Sequence, residues 1–274
     1  MGSFINALVW RLHEQSVKTL KPTRTKKTWL LRSSSDNLSI VHGRSMCPNC
    51  RHELSTRDLV PVFSWLALKG KCRYCNKPIS LQYPLVELAT VLLFIASYLW
   101  WPVTLSGAQI SIFVLWLALI VGFVALIVYD ARWQLLPNRI IYPLGFIAVI
   151  MASIEVAIAN RPAITTLDLI LAVMVGGGIF YVLFQVSGGK WIGGGDVRLG
   201  WLLGLVAGTP DRSFLLIFLA AALGSLLSVP LLATKRLKRS SKIPFGPFLI
   251  IAVIIVQLFG AGILHWYQRT FIQL

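Results

Sequence analysis

Carboxylates are scarce in this sequence: Asp and Glu number ten against 26 Lys and Arg, and charged residues of both signs make up only 13% of 274 positions. With hydrophobic residues at 56%, that shortage excludes a soluble domain of this length and points to a chain that crosses a membrane several times. Cysteine is equally sparse, with four in all. The four histidines, His13, His42, His52 and His265, are scattered, no serine-nucleophile elbow is present, and no G-x-G-x-x-G follows a strand pattern. The usual nucleophile and dinucleotide signatures are therefore missing. The start, MGSFINALVWRLHEQ, has neither a basic n-region before its short apolar piece nor a small-residue cleavage site after it, which argues against a secretory signal. Position 6 is Asn, which breaks a myristoylation pattern.

What is present falls into two parts. Residues 1–84 hold fourteen of the basic residues, four of the acids and all four cysteines, with no apolar run long enough to span a bilayer. Residues 85–274 are a series of apolar segments, each near the ~20 residues a spanning helix needs: near 85–101, 110–129, 139–157, 166–186, 196–209, 213–232 and 246–266. The expected fold is an all-α polytopic membrane protein of about seven spanning helices, preceded by a small polar domain.

The loops orient it, because Lys and Arg in short loops stay on the cytoplasmic side. With the polar domain inside, the inner loops carry Arg132 and Arg139, then Lys190 and Arg198, then Lys235, Arg236, Lys238, Arg239 and Lys242. The outer connections carry none over 102–109, then Arg161 and Arg212, with Arg269 in the outward tail. The net charge of +16 is thus distributed as topology beside an anionic lipid surface requires, and no nucleic-acid partner is expected.

The cysteines form two C-x-x-C pairs, Cys47 with Cys50 and Cys72 with Cys75, separated by twenty-one residues. This spacing suits a tetrahedral thiolate site for structural zinc in a zinc-ribbon-like cytoplasmic domain. Redox-active or unligated thiols are the alternative.

Acids inside or at the ends of apolar spans include Glu87, Asp130, Glu155 and Asp196. Ionisable groups there are costly and carry a functional reading by default, except near helix ends, where they reach the interface. Glu155 reads as interfacial, and Glu87, just past the start of its span, reads equally as a functional acid or as a first-turn residue favoured by its helix N-terminus. Asp130, in FVALIVYDARWQLLPN, ends an apolar helix at its C-terminus, where the helix dipole disfavours negative charge. Asp196, behind the glycines of GGKWIGGGDVRLG, reads either as a helix N-cap or as a functional acid. The span it opens is only ~21 Å long at helical rise, short of a hydrocarbon core of ~30 Å, and Gly200, Gly204 and Gly208 share its helix face. Those glycines allow a close neighbour and are expected to bring Asp196 towards Asp130. Two carboxylates meeting in a poorly solvated site tend to share one proton. One then activates water while the other, protonated, polarises a peptide carbonyl, as in aspartic proteases.

These residues resemble a known family, the bacterial type IV prepilin peptidases, also called leader peptidases or prepilin N-methyltransferases, which are GxGD-type aspartic peptidases. GSFINALVWRL resembles the N-terminal block, and CPNC with CRYC and PISLQYPLVELAT the cytoplasmic zinc module. YDARWQLLPN resembles the first aspartate motif, GGGDVRLG the GxGD motif, and IPFGPF a block near the C-terminus. The resemblance implies a multi-pass enzyme of the bacterial inner membrane that removes the basic leader of type IV prepilins and of pseudopilins of secretion systems on the cytoplasmic side. It implies Asp130 and Asp196 as the catalytic pair and Cys47, Cys50, Cys72 and Cys75 as the metal ligands. It also implies methylation of the new N-terminus from S-adenosylmethionine, of which the residues give no independent sign. Family members usually have an apolar helix before GSF and a proline where His13 stands, and residues 13–43 read as a basic insertion; either the start is assigned downstream of the true one or this variant lacks the first helix.

Two other classes compete. An ion-coupled transporter would show an inverted repeat with broken helices in matching halves, and only one short glycine-rich span is present. A membrane anchor that recruits secretion machinery through a zinc ribbon would hold its aspartates for structure alone.

Overall fold

The computed structural model describes residues 2–20, 46–234 apart from 48, 51 and 61, and 243–272. Most of the stretch 13–43, and the basic cluster from Lys235 to Lys242, lie outside the described residues. The chain divides into two compact units, Met1–Ile95 and Ala96–Leu274.

In the first unit, α1 (Gly2–Leu20) buries Ile5, Val9 and Leu12, the spacing of one helix face. The Asn6 side-chain amide donates to the carbonyl of Tyr83, and its oxygen accepts from the Gln82 side chain, each at 3.4 Å. Those partners begin α3 (Gln82–Leu99). Between them lie a 3-10 turn at Thr56–Leu59 and α2 (Phe63–Ala67). No strand occurs among the described residues, only two isolated antiparallel bridges, Met46 with Glu53 and Lys71 with Pro78.

The second unit is helical: α4 (Ala108–Trp133), α5 (Asn138–Ile158), α6 (Pro162–Val173), a π-helical turn at Met174–Gly178, α7 (Ile179–Ser187), α8 (Gly194–Ala207), α9 (Pro210–Ala233) and α10 (Gly246–Tyr267). Large apolar side chains face outward, among them Phe218 on α9 and Phe146 on α5. In water such a surface would drive association; in a bilayer it is the lipid face.

Six helices are long and apolar enough to cross a membrane: Gln82–Leu99, Ala108–Trp133, Asn138–Ile158, Pro162–Ser187, Pro210–Ala233 and Gly246–Phe271. The chain is a multi-pass membrane protein. The seventh element, expected over 196–209, is α8, and its 14 residues fall below spanning length. Instead it buries residues all round, including Leu199, Leu202, Leu203 and Val206, as a helix enclosed by others must.

Its glycines explain the enclosure. A Cβ on Gly200 would lie 2.6 Å from the Gly176 carbonyl oxygen, and one on Gly204 2.7 Å from the Ala172 carbonyl oxygen. Backbone meets backbone there, so no side chain fits. Gly200 and Gly204 pack on the helix carrying Gly176, and the π-helical turn falls at that crossing. Gly208, with φ of +78°, ends α8 as a left-handed cap, the role glycine takes most readily.

Candidate active site and metal centre

The first unit gathers its four cysteines. The Sγ atoms of Cys47, Cys50, Cys72 and Cys75 lie within 4.8 Å of one another, and Cys47 and Cys75 are 3.9 Å apart at sulfur. All four are free thiols. A tetrahedron with Zn–S bonds of ~2.3 Å has edges of about 3.8 Å, so this set fits a four-thiolate metal. The two pairs are built alike. The Cys47 amide donates to the His52 carbonyl at 3.0 Å, and the Cys72 amide to the Lys77 carbonyl at 2.9 Å, so each turn presents its two sulfurs from the same hydrogen-bonded frame. Just before the second turn, Gly70 has φ of +70°, and a Cβ there would lie 2.8 Å from the Trp65 ring.

Asp58 ties the second turn to the rest of the unit. Its carboxylate accepts from Arg73 Nε at 2.9 Å, from the Ser55 hydroxyl at 2.9 Å and from Tyr74 Oη at 3.3 Å. Arg73 and Tyr74 are the residues between Cys72 and Cys75. Burial works against its ionisation, but the Ser55 hydroxyl, the Arg73 guanidinium and the Ser55 amide together hold the carboxyl below the usual carboxylate range.

In the second unit, Asp130 and Asp196 line one cavity of about 680 Å³. Asp130 sits in the last turn of α4 and is 4% exposed. The helix stops there because Gln134 turns left-handed at φ 53°, its amide donating to the Asp130 carbonyl at 2.8 Å. The difficulty of a carboxylate at a helix C-terminus has a structural answer: Asp130 faces the N-terminus of another helix. Gly246 begins α10, and a Cβ on it would lie 2.6 Å from Asp130 Oδ2. The positive end of that dipole lies where the negative end of α4 is unfavourable.

Asp196 lies in the first turn of α8. It is not the helix cap: Gly193 holds that position, accepting from the Asp196 amide at 3.0 Å, and no side chain caps the helix. A Cβ on Gly193 would lie 3.3 Å from Asp196 Oδ2. Asp130 and Asp196 are within coulombic range of each other. A clip also joins the two segments, since Arg198 donates to Asn138 Oδ1 at 2.7 Å. Lys190, Trp191 and Phe245 are among the other residues that line the cavity.

The other two acids take different places. Glu87 is not in a first turn, because α3 begins at Gln82; it is buried and accepts the Val62 amide at 2.8 Å. Val62 has φ of +61°, a costly conformation for a β-branched residue, so Glu87 holds a strained turn. Glu155, near the end of α5, is half-buried and lies within range of the Arg212 charge.

The first unit also holds a cavity of about 110 Å³, lined by Trp10, Trp65 and Tyr83 with Asp58 and Glu87. Both carboxylates are already engaged, and small-molecule sites begin near ~300 Å³, so it does not fit a donor the size of S-adenosylmethionine. Sequence reasoning missed Asp58, Gly176 and Gly246. The signals were the two glycine triplets, 176–178 and 193–195, in one stretch of chain, and a glycine set between Pro244 and Pro247.

Residues 1–101 match the bacterial peptidase A24 N-terminal domain, and residues 117–229 match the type IV leader peptidase family. A prepilin leader peptidase/N-methyltransferase of Pseudomonas aeruginosa is 32% identical over 281 residues, covering 100% of this chain and 90% of the relative. One of the same description from Bacillus subtilis is 31% identical, covering 85% of this chain and 88% of the relative. A type 4 prepilin-like proteins leader peptide-processing enzyme of Escherichia coli is 32% identical, over 91% of this chain and 86% of the relative. No solved structure matches.

Proposed function

The chain belongs to the type IV leader peptidase family, and from that premise we propose that Asp130 and Asp196 form a proton-sharing dyad that cleaves the basic leader from type IV prepilins and pseudopilins. The observation that carries this reading is that two acids from distant motifs line one cavity, each beside a helix N-terminus. One carboxylate, ionised, takes a proton from water as its oxygen attacks the scissile carbonyl carbon. The other, protonated, donates a hydrogen bond to the carbonyl oxygen. Collapse of the tetrahedral intermediate breaks the C–N bond, and the proton taken from water passes to the leaving amine.

The cavity opens towards the cytoplasm in this reading, and the protein resides in the bacterial inner membrane with its N-terminal domain inside. Lys190 in the connection before α8, with Arg132, Arg139 and Arg198 in the end turns of α4, α5 and α8 on the aspartate side, supports that orientation. Residues 1–84 form the zinc-binding region, where the four cysteines hold a structural ion, and 85–274 the peptidase domain. We extend the reading to methylation of the newly exposed amine with S-adenosylmethionine as donor; its support is the N-methyltransferase in the relatives' descriptions.

The test is leader cleavage in membranes containing a prepilin substrate. Asp130→Asn and Asp196→Asn should each abolish it, and undiminished cleavage by either variant would overturn the dyad. Mass spectrometry of the product N-terminus reads methylation separately.

A further inference from the structure

Leu136 stands between the supports of the two aspartates. It lies in the short segment joining α4 to α5, and a Cβ on Gly195 would approach its Cβ to 3.0 Å, while one on Gly246 would approach its Cδ2 to 3.4 Å. Gly195 immediately precedes Asp196, and Gly246 is the residue packed on Asp130 Oδ2. One leucine side chain therefore touches the backbone that carries Asp196 on one side and the backbone that confines Asp130 on the other.

We propose that Leu136, seated between Gly195 and Gly246, is the spacer that sets the separation and orientation of the two aspartates. The inference rests on the dyad reading above and adds to it a positioning residue. Asp130 Oδ2 is buried and makes no hydrogen bond of ordinary geometry among the described residues, while the Gly246 backbone acts on the carboxyl as a donor. Packing that places Gly246 therefore also places the carboxyl, because atoms in close contact transmit displacement rather than absorb it. The Arg198–Asn138 hydrogen bond holds the segment that carries Leu136 against α8. Alanine at 195 would crowd Leu136 Cβ at 3.0 Å, and alanine at 246 would push the Asp130 carboxylate while meeting Leu136 at 3.4 Å, an ordinary contact distance. A displacement of about 1 Å at reacting groups costs up to ~100-fold in rate.

The experiment compares Leu136→Ala, Leu136→Val, Leu136→Met and Gly246→Ala in the full-length protein, measuring kcat and KM for prepilin cleavage alongside thermal unfolding. Leu136→Ala and Gly246→Ala should lower kcat by about 10- to 100-fold with KM nearly constant, and Leu136→Val by less. Leu136→Met, which conserves volume, should keep most of the rate. If an alanine variant fails to fold, Leu136→Val and Leu136→Met decide by the same criterion. Unchanged kcat in the shortened variants, or a rise in KM alone, would overturn the spacer, the latter by making Leu136 a substrate contact. Asp130→Asn in the same assay separates the two claims: cleavage there removes the dyad, whereas its loss beside a normal Leu136→Ala removes only the spacer.

Discussion

The two units of this protein solve the problem of holding a site in different ways. In Met1–Ile95 the cysteine site is framed by turns, each closed by an amide from its first cysteine, with Asp58 as the side-chain tie. In Ala96–Leu274 the aspartates are framed by helix ends brought together through glycine contacts. A loop framework can be completed by an ion, because four sulfurs bound to one centre replace the core that a small polar domain lacks. Helices in lipid gain nothing from burying apolar surface against each other and depend on close approach instead.

That contrast predicts where each unit breaks. The largest effect belongs to the metal, since structural zinc contributes about 10–16 kcal/mol of apparent binding energy in small zinc domains. Purified protein should contain about one zinc per chain. Strong chelation, or Cys47→Ser with Cys72→Ser, should open the first unit to protease while segments within 108–233 stay protected. Limited proteolysis with mass spectrometry reads both, and zinc-free protein with intact thiols and a protected first unit would remove the metal from the account.

The second unit should yield to a single methyl group in the right place. Gly200→Ala puts a Cβ 2.6 Å from the Gly176 carbonyl oxygen and 2.7 Å from the Phe180 ring, and overpacking of this kind costs about 1–3 kcal/mol. Gly145→Ala, with nothing within 4 Å, should be nearly neutral. Thermal unfolding in detergent separates them, and equal stability of the two variants would mean that α8 is not seated by its glycines.

The same contrast decides what the sequence could reveal. The cysteine cluster was legible because residues that could hold one metal recur at a fixed spacing, and the spans because lipid demands uninterrupted apolar residues. Asp130 was legible as an anomaly, an acid at the wrong end of its helix. Its resolution was not, because Gly246 approaches from a helix more than a hundred residues away in sequence, and a glycine carries no mark of what it touches. Gly200 and Gly204 were read as a close-packing face, but the helix they meet was not legible, since the glycines of the π-helical turn are equally unmarked. Asp196 as a possible cap failed by three residues: the chain turns helical behind Gly193, where no side chain signals the start.

The smallest predicted effect tests whether Asp58 acts through charge. Its carboxyl is held below the usual carboxylate range in the folded unit, so its stabilisation is present above the ordinary unfolded value of about 3.9 and is lost as pH falls through the lower folded value. Asp58→Asn keeps one oxygen acceptor and removes the charge. With the Arg73 side chain 52% exposed, the charge contributes at most about 1 kcal/mol. The native first unit should therefore melt slightly above the variant at pH 7, and the two should converge below the carboxylate range. A difference that persists at low pH would assign Asp58 a role of shape and hydrogen bonding, leaving the turn between Cys72 and Cys75 anchored without its ion pair.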